Sequence, residues 1–293
     1  MSKITLYSHA KINLSLDVSA IREDGFHDIE SVVQVIDVTD ELELSTNDSG
    51  AIEVLVERGD APSGPDNLVH KACEAFFATT GIKAGVQVRL WKYIPTQAGL
   101  GGGSGNAAAA VAGLNQIYDC GLSASQLAEI ASKVGSDTAL FVYGGTSCIS
   151  GRGEHVEPLP DAPGLHIVIL KPAVGVSTKW AYAEMDRDSQ RRRGNGTSRV
   201  KKAIMDADYD AIFAALSNDF DAVVSSHFVE INEAKSLLKS TGAKMSLLCG
   251  SGSAVYGVFD SHGAAESARQ ELKSKYQSGF VCRSLTRAES ALV

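Results

Sequence analysis

Alternating apolar and polar residues dominate the first half of the chain. Between residues 10 and 18 every second residue is apolar, so the pattern predicts a strand with Lys11, Asn13, Ser15 and Asp17 together on its polar face. A turn at 22–27 and a series of further strands follow. These strands are predicted at 29–38, 41–44, 51–56, 86–91, 140–143 and 146–149, and later at 165–170, 245–248 and 254–259.

Helical periodicity interrupts the strands in both halves of the chain. Helices are predicted at 67–78, from a glycine-rich run at 99–106 to about Gly121, at 123–135, and around 178–184, 208–216 and 228–238. The helix at 123–135 begins with a capping box formed by Ser123 and Gln126. Three prolines between 158 and 163 interrupt regular structure. The chain is therefore predicted to be an α+β protein with two domains, residues 1–160 and 161–293.

The glycine-rich run at 99–106, GLGGGSGN, lies between the strand at 86–91 and an alanine-rich helix. Glycine removes side chains from such a turn, so backbone N–H groups can approach an anion closely. The N-terminus of the helix adds unpaired donors and a partial positive charge. This junction is therefore predicted to bind a phosphate group.

Three common phosphate-binding patterns do not fit this run. A P-loop would close with Lys-Ser or Lys-Thr, a dinucleotide fingerprint would have glycine where Ser104 stands, and a protein kinase would carry H-R-D and D-F-G motifs elsewhere. A flexible glycine-rich linker is the structural alternative. Because linkers do not connect an alternating strand to a helix-forming run, we retain the phosphate-loop interpretation.

Composition limits the class of protein. The chain has 293 residues, 44% of them hydrophobic, which is enough for two cores. Its five cysteines are widely spaced without a C-x-x-C pair, which argues against a disulfide framework and zinc. No apolar run approaches the roughly 20 residues that span a bilayer and no signal-peptide core is present, so we expect a cytoplasmic protein.

Charge argues against a nucleic-acid partner. The formal net charge is −8, although one basic cluster surrounds residues 194–196. This cluster is predicted to be a solvated loop. It consists of Arg191, Arg192, Arg193, Arg199, Lys201 and Lys202.

The segment 99–108 resembles the second motif of the GHMP kinases, and within that superfamily it looks most like the diphosphocytidyl-methylerythritol kinases. The segments 10–14, 22–28, 135–141 and 250–253 carry the same resemblance. It covers nearly the whole chain and is weakest between 186 and 202. The resemblance implies the two-domain α+β GHMP kinase fold, with an N-terminal domain like domain 2 of ribosomal protein S5 and an α/β-sandwich C-terminal domain.

The resemblance also implies that Lys11 and Asp137 are catalytic. In the family the matching aspartate is the proposed base, which can accept the proton of an attacking hydroxyl while a nearby lysine favours the ionised carboxylate. From the residues alone, Lys11 could equally be an exposed strand residue and Asp137 an ordinary turn residue. Thr138 and Ala139 replace the Val-Pro that is usual in the family, so the resemblance extends to the carboxylate but not to the two residues after it.

By the same resemblance, a cytidyl substrate is held by residues from three segments. An exposed aromatic ring can stack on a base, and a neighbouring histidine can read its polar edge. Phe26 stands where tyrosine is common in the family; on the residues alone it could also be a hydrophobic plug, and 250–253 a plain hairpin turn. The predicted substrate-binding residues are Asn13, Phe26, His27, Gly250, Ser251 and Gly252.

ATP with Mg²⁺ is the implied phosphate donor. Gly105 stands where many relatives have a second serine, so Ser104 would supply the hydroxyl contact alone. Lys92 could otherwise be a solvated lysine at the end of a strand. The predicted nucleotide-binding residues are Lys92, Pro95, Gly99, Leu100, Gly101, Gly102, Gly103, Ser104 and Asn106.

The implied activity is transfer of the γ-phosphoryl group of ATP to the 2-hydroxyl of 4-diphosphocytidyl-2-C-methyl-D-erythritol, a step of non-mevalonate isoprenoid biosynthesis. One alternative is another GHMP kinase that acts on mevalonate, homoserine or a sugar, against which Phe26 and His27 argue. A second is a nucleotide sensor without turnover, against which the retained Lys11 and Asp137 argue. Neither a membrane nor a nucleic-acid partner is expected, and the sequence predicts no particular oligomeric state.

Overall fold

The computed structural model describes residues 2–188 and 194–293, which form two β-sheets with helices packed against them. The strands are β1 (Lys3–Asn13), β2 (Ser15–Ile21), β3 (His27–Asn47), β4 (Ile52–Arg58), β5 (Gly85–Trp91), β6 (Thr146–Gly151), β7 (His155–Pro158), β8 (His166–Leu170), β9 (Ser217–Asn218), β10 (Met245–Leu248), β11 (Val255–Phe259) and β12 (Gly279–Arg283). The helices are α1 (Leu68–Thr80), α2 (Gly102–Ile117), α3 (Ala124–Ser132), α4 (Thr138–Tyr143), α5 (Thr178–Arg187), α6 (Gly196–Met205), α7 (Tyr209–Ala215), α8 (Asp219–His227), α9 (Val229–Ser240), α10 (His262–Leu272) and α11 (Arg287–Ser290).

The long strand β3 organises the first sheet. It pairs antiparallel with β1, β2, β5 and β6, while β4 adds in parallel to β5 and the short β9 adds in parallel to β2. The second sheet has the antiparallel order β10-β11-β8-β12. The chain passes from one sheet to the other between β7 and β8, where the domain boundary is predicted; the division into domains stays a prediction.

Apolar cores join the layers. One packs α1 to α4 against the first sheet, and another packs α5 and α8 to α10 against the second. A third lies between the two sheets and includes Ile12 on β1 and Ile167 on β8. Tyr256 on β11 also donates its hydroxyl to the carbonyl oxygen of Asn13 at 2.8 Å. The second sheet therefore holds the end of β1, which carries predicted site residues.

The helix α2 is rich in small residues because it is buried and packs closely against the first sheet. The helix is buried along nearly its whole length, including the run Ala107–Ala110. A Cβ added to Gly113 would lie 2.6 Å from the side chain of Leu6 on β1. Small side chains let the helix approach the sheet closely, and this approach sets the position of the glycine loop before it.

Most of the predicted elements are present, although α6, α8, α10, α11, β7, β9 and β12 were not predicted and some of the predicted strands differ. The alternating segment at 10–18 is divided between β1 and β2, and its polar residues Lys11, Asn13 and Ser15 are buried. The two strands predicted at 29–38 and 41–44 are one continuous strand. The strand predicted at 140–143 is wrong, because these residues belong to α4, which packs against α2 and α3.

Three residues of the basic cluster lie on a helix. Arg191, Arg192 and Arg193 lie outside the described residues. Arg199, Lys201 and Lys202 belong to α6, so the loop prediction is wrong for them. Asp17 on β2 accepts the N–H groups at the start of this helix, which explains why the local sequence did not indicate it. Across the described ranges, no helix is both long and apolar enough to cross a membrane.

Candidate active site

The glycine-rich run forms the connection between β5 and α2. Gly99 and Gly101 have φ values of 76° and 72°, and Gly101 is the N-cap of α2. A Cβ on Gly99 would overlap the carbonyl oxygen of Cys249, and one on Gly101 would lie 2.8 Å from the ring of Phe141. Glycine is therefore required at both positions by conformation and by space. The first turn of α2 presents N–H groups without intrahelical acceptors, which is the arrangement that binds anions.

The end of β1 brings a lysine to this loop. The backbone N–H of Lys11 donates to the carbonyl oxygen of Leu100 at 2.9 Å, so strand and loop are directly bonded. The Lys11 ammonium group donates to Oδ1 of Asn13 at 2.8 Å and lies 3.7 Å from Oδ2 of Asp137. Lys11 is buried, whereas the Asp137 side chain is 33% exposed. A cation and an accessible carboxylate thus lie side by side at the loop.

Asp137 occupies the position before α4 but does not cap that helix. Its backbone has φ −84° and ψ 2°, and its side chain makes no capping hydrogen bond. A Cβ added to Gly153, in the turn between β6 and β7, would lie 2.9 Å from Oδ1 of Asp137. The carboxylate therefore packs beside the neighbouring turn rather than capping its own helix, and its exposed part is available to a ligand.

A buried ion pair lies behind the glycine loop. Asp40 on β3 is fully buried, pairs with the Lys92 ammonium group, and accepts the N–H groups of Tyr93 and Ile94 at 2.6 and 2.8 Å. Asn106 on α2 donates to Asp40 and accepts from Lys92, each at 2.9 Å. Burial lowers the pKa of Lys92, and the charge of Asp40 opposes that shift. The network ties the end of β5 to α2 on either side of the loop.

Two cavities meet at the glycine loop. The first cavity, of about 720 Å³, contains the Lys11 and Asp137 side chains in its lining. The second cavity, of about 630 Å³, is lined by the loop and the first turn of α2. Gly99, Gly101 and Thr178 line both cavities. A phosphate group bound at the loop would therefore be accessible to molecules in either cavity.

Aromatic residues line the first cavity. The ring of Phe26 is exposed, and the ring of His27 stacks on that of Tyr182 with centroids 4.8 Å apart and planes at 17°. Nδ1 of His27 lies 2.8 Å from the carbonyl oxygen of Ser19, and Nε2 lies 3.2 Å from Oδ2 of Asp186. Burial raises the pKa of the Tyr182 hydroxyl to about 12, so it is a neutral phenol. The His27 ring is thus tied to the protein, whereas the Phe26 ring is partly exposed and has the guanidinium carbon of Arg152 3.7 Å from its centroid.

The second glycine turn, between β10 and β11, also borders the first cavity. Gly250 and Ser251 line the first cavity, and the hydroxyl groups of Ser251 and Thr178 lie 2.9 Å apart. Gly252 is buried and packs toward Leu248 instead. The turn therefore connects the start of α5 to the junction of the two cavities.

The structure brings nearly all of the predicted site residues together. The nine predicted nucleotide-binding residues line the second cavity, and the predicted catalytic and substrate-binding residues, except Gly252, line the first. Their roles stay predictions. The sequence analysis missed Asp40, Arg152, Thr178 and Tyr182, which the fold adds to the site. Only Arg152 had a local signal, the turn at 151–153 with glycine on both sides.

The cysteines offer no activated thiol at this site. All five are free, and Cys249 lies directly under the glycine loop. Burial raises the pKa of Cys249 to about 12, so the side chain is a neutral thiol at physiological pH. Cys249 therefore serves packing, and the reactive groups of the site are the carboxylate and the ammonium group.

Two domain models match the chain: "GHMP kinases N terminal domain" over residues 67–145 and "GHMP kinases C terminal" over residues 200–278. The chain is 37% identical to 4-diphosphocytidyl-2-C-methyl-D-erythritol kinase of Listeria monocytogenes over 288 residues, with 98% of each protein covered. It is 40% identical to the kinase of the same name from Pelotomaculum thermopropionicum over 267 residues, which cover 91% of this chain and 92% of the relative.

A solved structure shows the same similarity in three dimensions. It is a crystal structure of 4-(cytidine 5'-diphospho)-2C-methyl-D-erythritol kinase, which matches with a TM-score of 0.79 and 25% sequence identity. The match covers 96% of this chain and 99% of the other. The similarity therefore includes both sheets and the junction between the two cavities.

Proposed function

Because the chain belongs to the 4-diphosphocytidyl-2-C-methyl-D-erythritol kinases of the GHMP kinase family, we propose that it transfers the γ-phosphoryl group of ATP to the 2-hydroxyl of 4-diphosphocytidyl-2-C-methyl-D-erythritol. One observation supports this proposal above the others: the cavity that contains Lys11 and Asp137 joins the cavity of the glycine loop at Gly99 and Gly101. Phosphoryl transfer depends mainly on positioning and charge neutralisation, which two adjoining cavities can provide.

ATP occupies the second cavity in this proposal. Its phosphates lie at the N-terminus of α2, where backbone N–H groups and the helix dipole favour negative charge. The Lys92 ammonium group is already paired with Asp40 and bonded to Asn106, so its main contribution is to hold the loop in place. The nucleotide is thus bound chiefly by main-chain donors whose position the buried network maintains.

The acceptor alcohol lies in the first cavity beside Asp137. As the new O–P bond forms and the bond to the β-phosphate oxygen breaks, the hydroxyl proton passes to the carboxylate and ADP leaves with the bonding electron pair. Lys11 stabilises the negative charge on the phosphoryl group, and Asn13 orients the ammonium group through its 2.8 Å hydrogen bond. The exposed ring of Phe26 supplies a stacking surface for cytosine.

Mg²⁺ fits this site as a companion of ATP. The residues that the structure describes contain no group of three or more His, Cys, Asp or Glu side chains that could hold a metal ion. Magnesium is commonly held by one or two protein oxygens together with substrate phosphates, and the Ser104 hydroxyl and the Asp137 carboxylate are oxygen donors at the two cavities. Bound there, the ion would neutralise charge on the ATP phosphates. We expect the enzyme to work in the cytoplasm.

An ADP-release assay tests the proposal. The purified protein is given ATP and Mg²⁺ with 4-diphosphocytidyl-2-C-methyl-D-erythritol, mevalonate, homoserine or galactose. We expect ADP only with the cytidyl substrate. Turnover of another alcohol instead would contradict the proposed substrate, while ATP binding without turnover of any alcohol would indicate a nucleotide sensor.

Asp137→Asn separates the proposed base from the binding groups. We expect kcat to fall by about a hundredfold or more, since general base catalysis typically contributes factors of about 10² to 10⁴. Asp119→Asn is a matched control, because Asp119 is an exposed turn residue whose backbone φ of 50° suits asparagine. Equal activity of the two variants would exclude Asp137 as the base.

A further inference from the structure

The turn between β6 and β7 places a cation in the first cavity that neither the family resemblance nor the proposed function has used. Arg152 lies between Gly151 and Gly153, and its guanidinium carbon is 3.7 Å from the centroid of the Phe26 ring. Both side chains line the first cavity together with Asp137. We propose that Arg152 binds the diphosphate group of the substrate while its guanidinium group stacks on Phe26. This inference rests on the proposed function.

The stacked arrangement leaves the donors of Arg152 available. A guanidinium group stacks through its flat face, so its five N–H bonds point outward in the plane of the group. Among residues 2–188 and 194–293, no carboxylate forms an ion pair with Arg152, and its hydrogen bond to Glu154 comes from the backbone N–H rather than from the guanidinium group. A phosphate group is the natural partner for such a planar set of donors, since it can accept two of them at once.

The position next to Phe26 favours a diphosphate over other anions. In a nucleoside diphosphate only the ribose separates the base from the first phosphate. If cytosine stacks on Phe26, its diphosphate must therefore lie close to the groups that border this ring. Lys179 on α5 also lines the cavity, but Arg152 is the cation in contact with Phe26. Lys11 is already committed to Asn13 and Asp137.

The turn itself holds Arg152 in place. Gly151 and Gly153 have φ values of 72° and 113°, which other residues rarely adopt. The backbone N–H of Arg152 donates to Oε2 of Glu154 at 2.6 Å. Gly153 lies directly against Asp137, where a Cβ would be 2.9 Å from Oδ1. The same turn therefore contacts Asp137, the proposed general base, on one side and the ring of Phe26, the proposed stacking surface for cytosine, on the other. It fixes the distance between these two side chains.

Binding of cytidine and cytidine diphosphate distinguishes this role from a structural one. Affinities are measured by titration calorimetry for the wild type, Arg152→Met and Arg152→Lys. We expect Arg152→Met to lose about tenfold to a hundredfold in affinity for cytidine diphosphate, in the range of a charged hydrogen bond, with cytidine binding unchanged. The affinity of Arg152→Lys for cytidine diphosphate should lie between those of the wild type and Arg152→Met, because lysine keeps the charge but not the planar donors. KM for the cytidyl substrate should rise while kcat changes little.

Arg89→Met is the matched control. Arg89 also stacks on an aromatic residue, with its guanidinium carbon 5.2 Å from the Trp91 ring, but on strand β5 away from the first cavity. The Arg89→Met variant should bind cytidine and cytidine diphosphate with the same affinities as the wild type. Equal losses for cytidine and cytidine diphosphate in Arg152→Met would show that Arg152 acts only through Phe26, and unchanged affinities would exclude any role; either result overturns the proposal. A wild type that binds neither ligand and does not turn over would overturn the proposed function itself.

Discussion

The ammonium nitrogen of Lys11 lies 3.7 Å from a carboxylate oxygen of Asp137. Lys11 is near the end of β1, and Asp137 precedes α4, far along the chain. The glycine loop is bonded to the backbone of the same lysine through Leu100. The glycine loop, the cation and the carboxylate are therefore joined at one point, where the two cavities meet.

Lys11→Met should remove charge stabilisation from the transferred phosphoryl group. We expect kcat to fall by about a hundredfold or more, the effect typical of losing one preorganised electrostatic contact. The KM for ATP should change less, because the nucleotide is proposed to lie in the other cavity. Steady-state kinetics measure both. Lys3→Met, on the exposed part of the same strand, should behave as the wild type; comparable activity of the two variants would contradict the role given to Lys11.

Gly99→Ala should damage the fold more than another glycine with the same backbone conformation. Gly81 has a φ of 73° with nothing near its missing Cβ, so Gly81→Ala tests the conformation alone and should cost about 1–2 kcal/mol in the free energy of unfolding. At Gly99 the added Cβ also overlaps the carbonyl oxygen of Cys249, which should cost about 1–3 kcal/mol more. Urea denaturation measures both variants. Equal losses of stability in Gly81→Ala and Gly99→Ala would mean that the loop at Gly99 and the turn at Cys249 can move apart freely.

The buried pair of Asp40 and Lys92 should behave as one unit. Removing either partner leaves a buried charge, so Asp40→Asn and Lys92→Met should each lower the free energy of unfolding by about 3–5 kcal/mol. The double variant should lose less than the sum of the two, with an interaction energy of about 0.5–3 kcal/mol. Strict additivity, measured by denaturation of all four proteins, would contradict a coupled pair.

The Asp40→Asn loss should also depend on pH. Burial lowers the pKa of Lys92 below its ordinary value of 10.5, and Asp40→Asn removes the negative charge that opposes this shift. The folded variant then favours the neutral amine, whereas the unfolded chain stays protonated up to 10.5. Stability of the variant relative to the wild type should therefore improve as the pH rises toward 10.5. A loss that is constant from pH 7 to 10 would be inconsistent with this explanation.

Glu289 should support the C-terminal segment only where it is ionised. Its hydrogen bonds from the Arg283 side chain and from Thr286 lower its pKa from 4.5 to about 2. The folded pKa is the lower one, so its contribution is present above pH 4.5 and is lost as the pH falls toward 2. The stability difference between the wild type and Glu289→Gln should shrink over this window. Urea denaturation at several pH values would reveal a constant difference if the prediction is wrong.

Local signals were enough for the glycine loop and for many of the elements. The glycine run predicted a turn before a helix because glycine permits positive φ and alanine favours helix, and both effects act within a few residues. The Ser123 capping box predicted the start of α3 for the same reason. Local signals failed at 140–143, where a short apolar run fits a strand or a buried helix equally well. Packing of α4 against α2 and α3 decided between them.

The start of α6 shows a second kind of failure. Its first N–H groups are accepted by Asp17, a side chain from β2, so the cap comes from a distant part of the chain. No residue next to the helix carries that information.

The sequence by itself determined the family and predicted the phosphate loop and the residues proposed to carry the chemistry, because these depend on residue types at short spacing. Only the tertiary structure decided that Lys11 lies beside Asp137, that Lys92 is neutralised by a fully buried Asp40, and that the Arg152 guanidinium stacks on Phe26. Each of these contacts joins segments distant in the chain. Their geometry follows from how the sheets and helices pack, and packing depends on the shapes of all the layers together rather than on any local pattern.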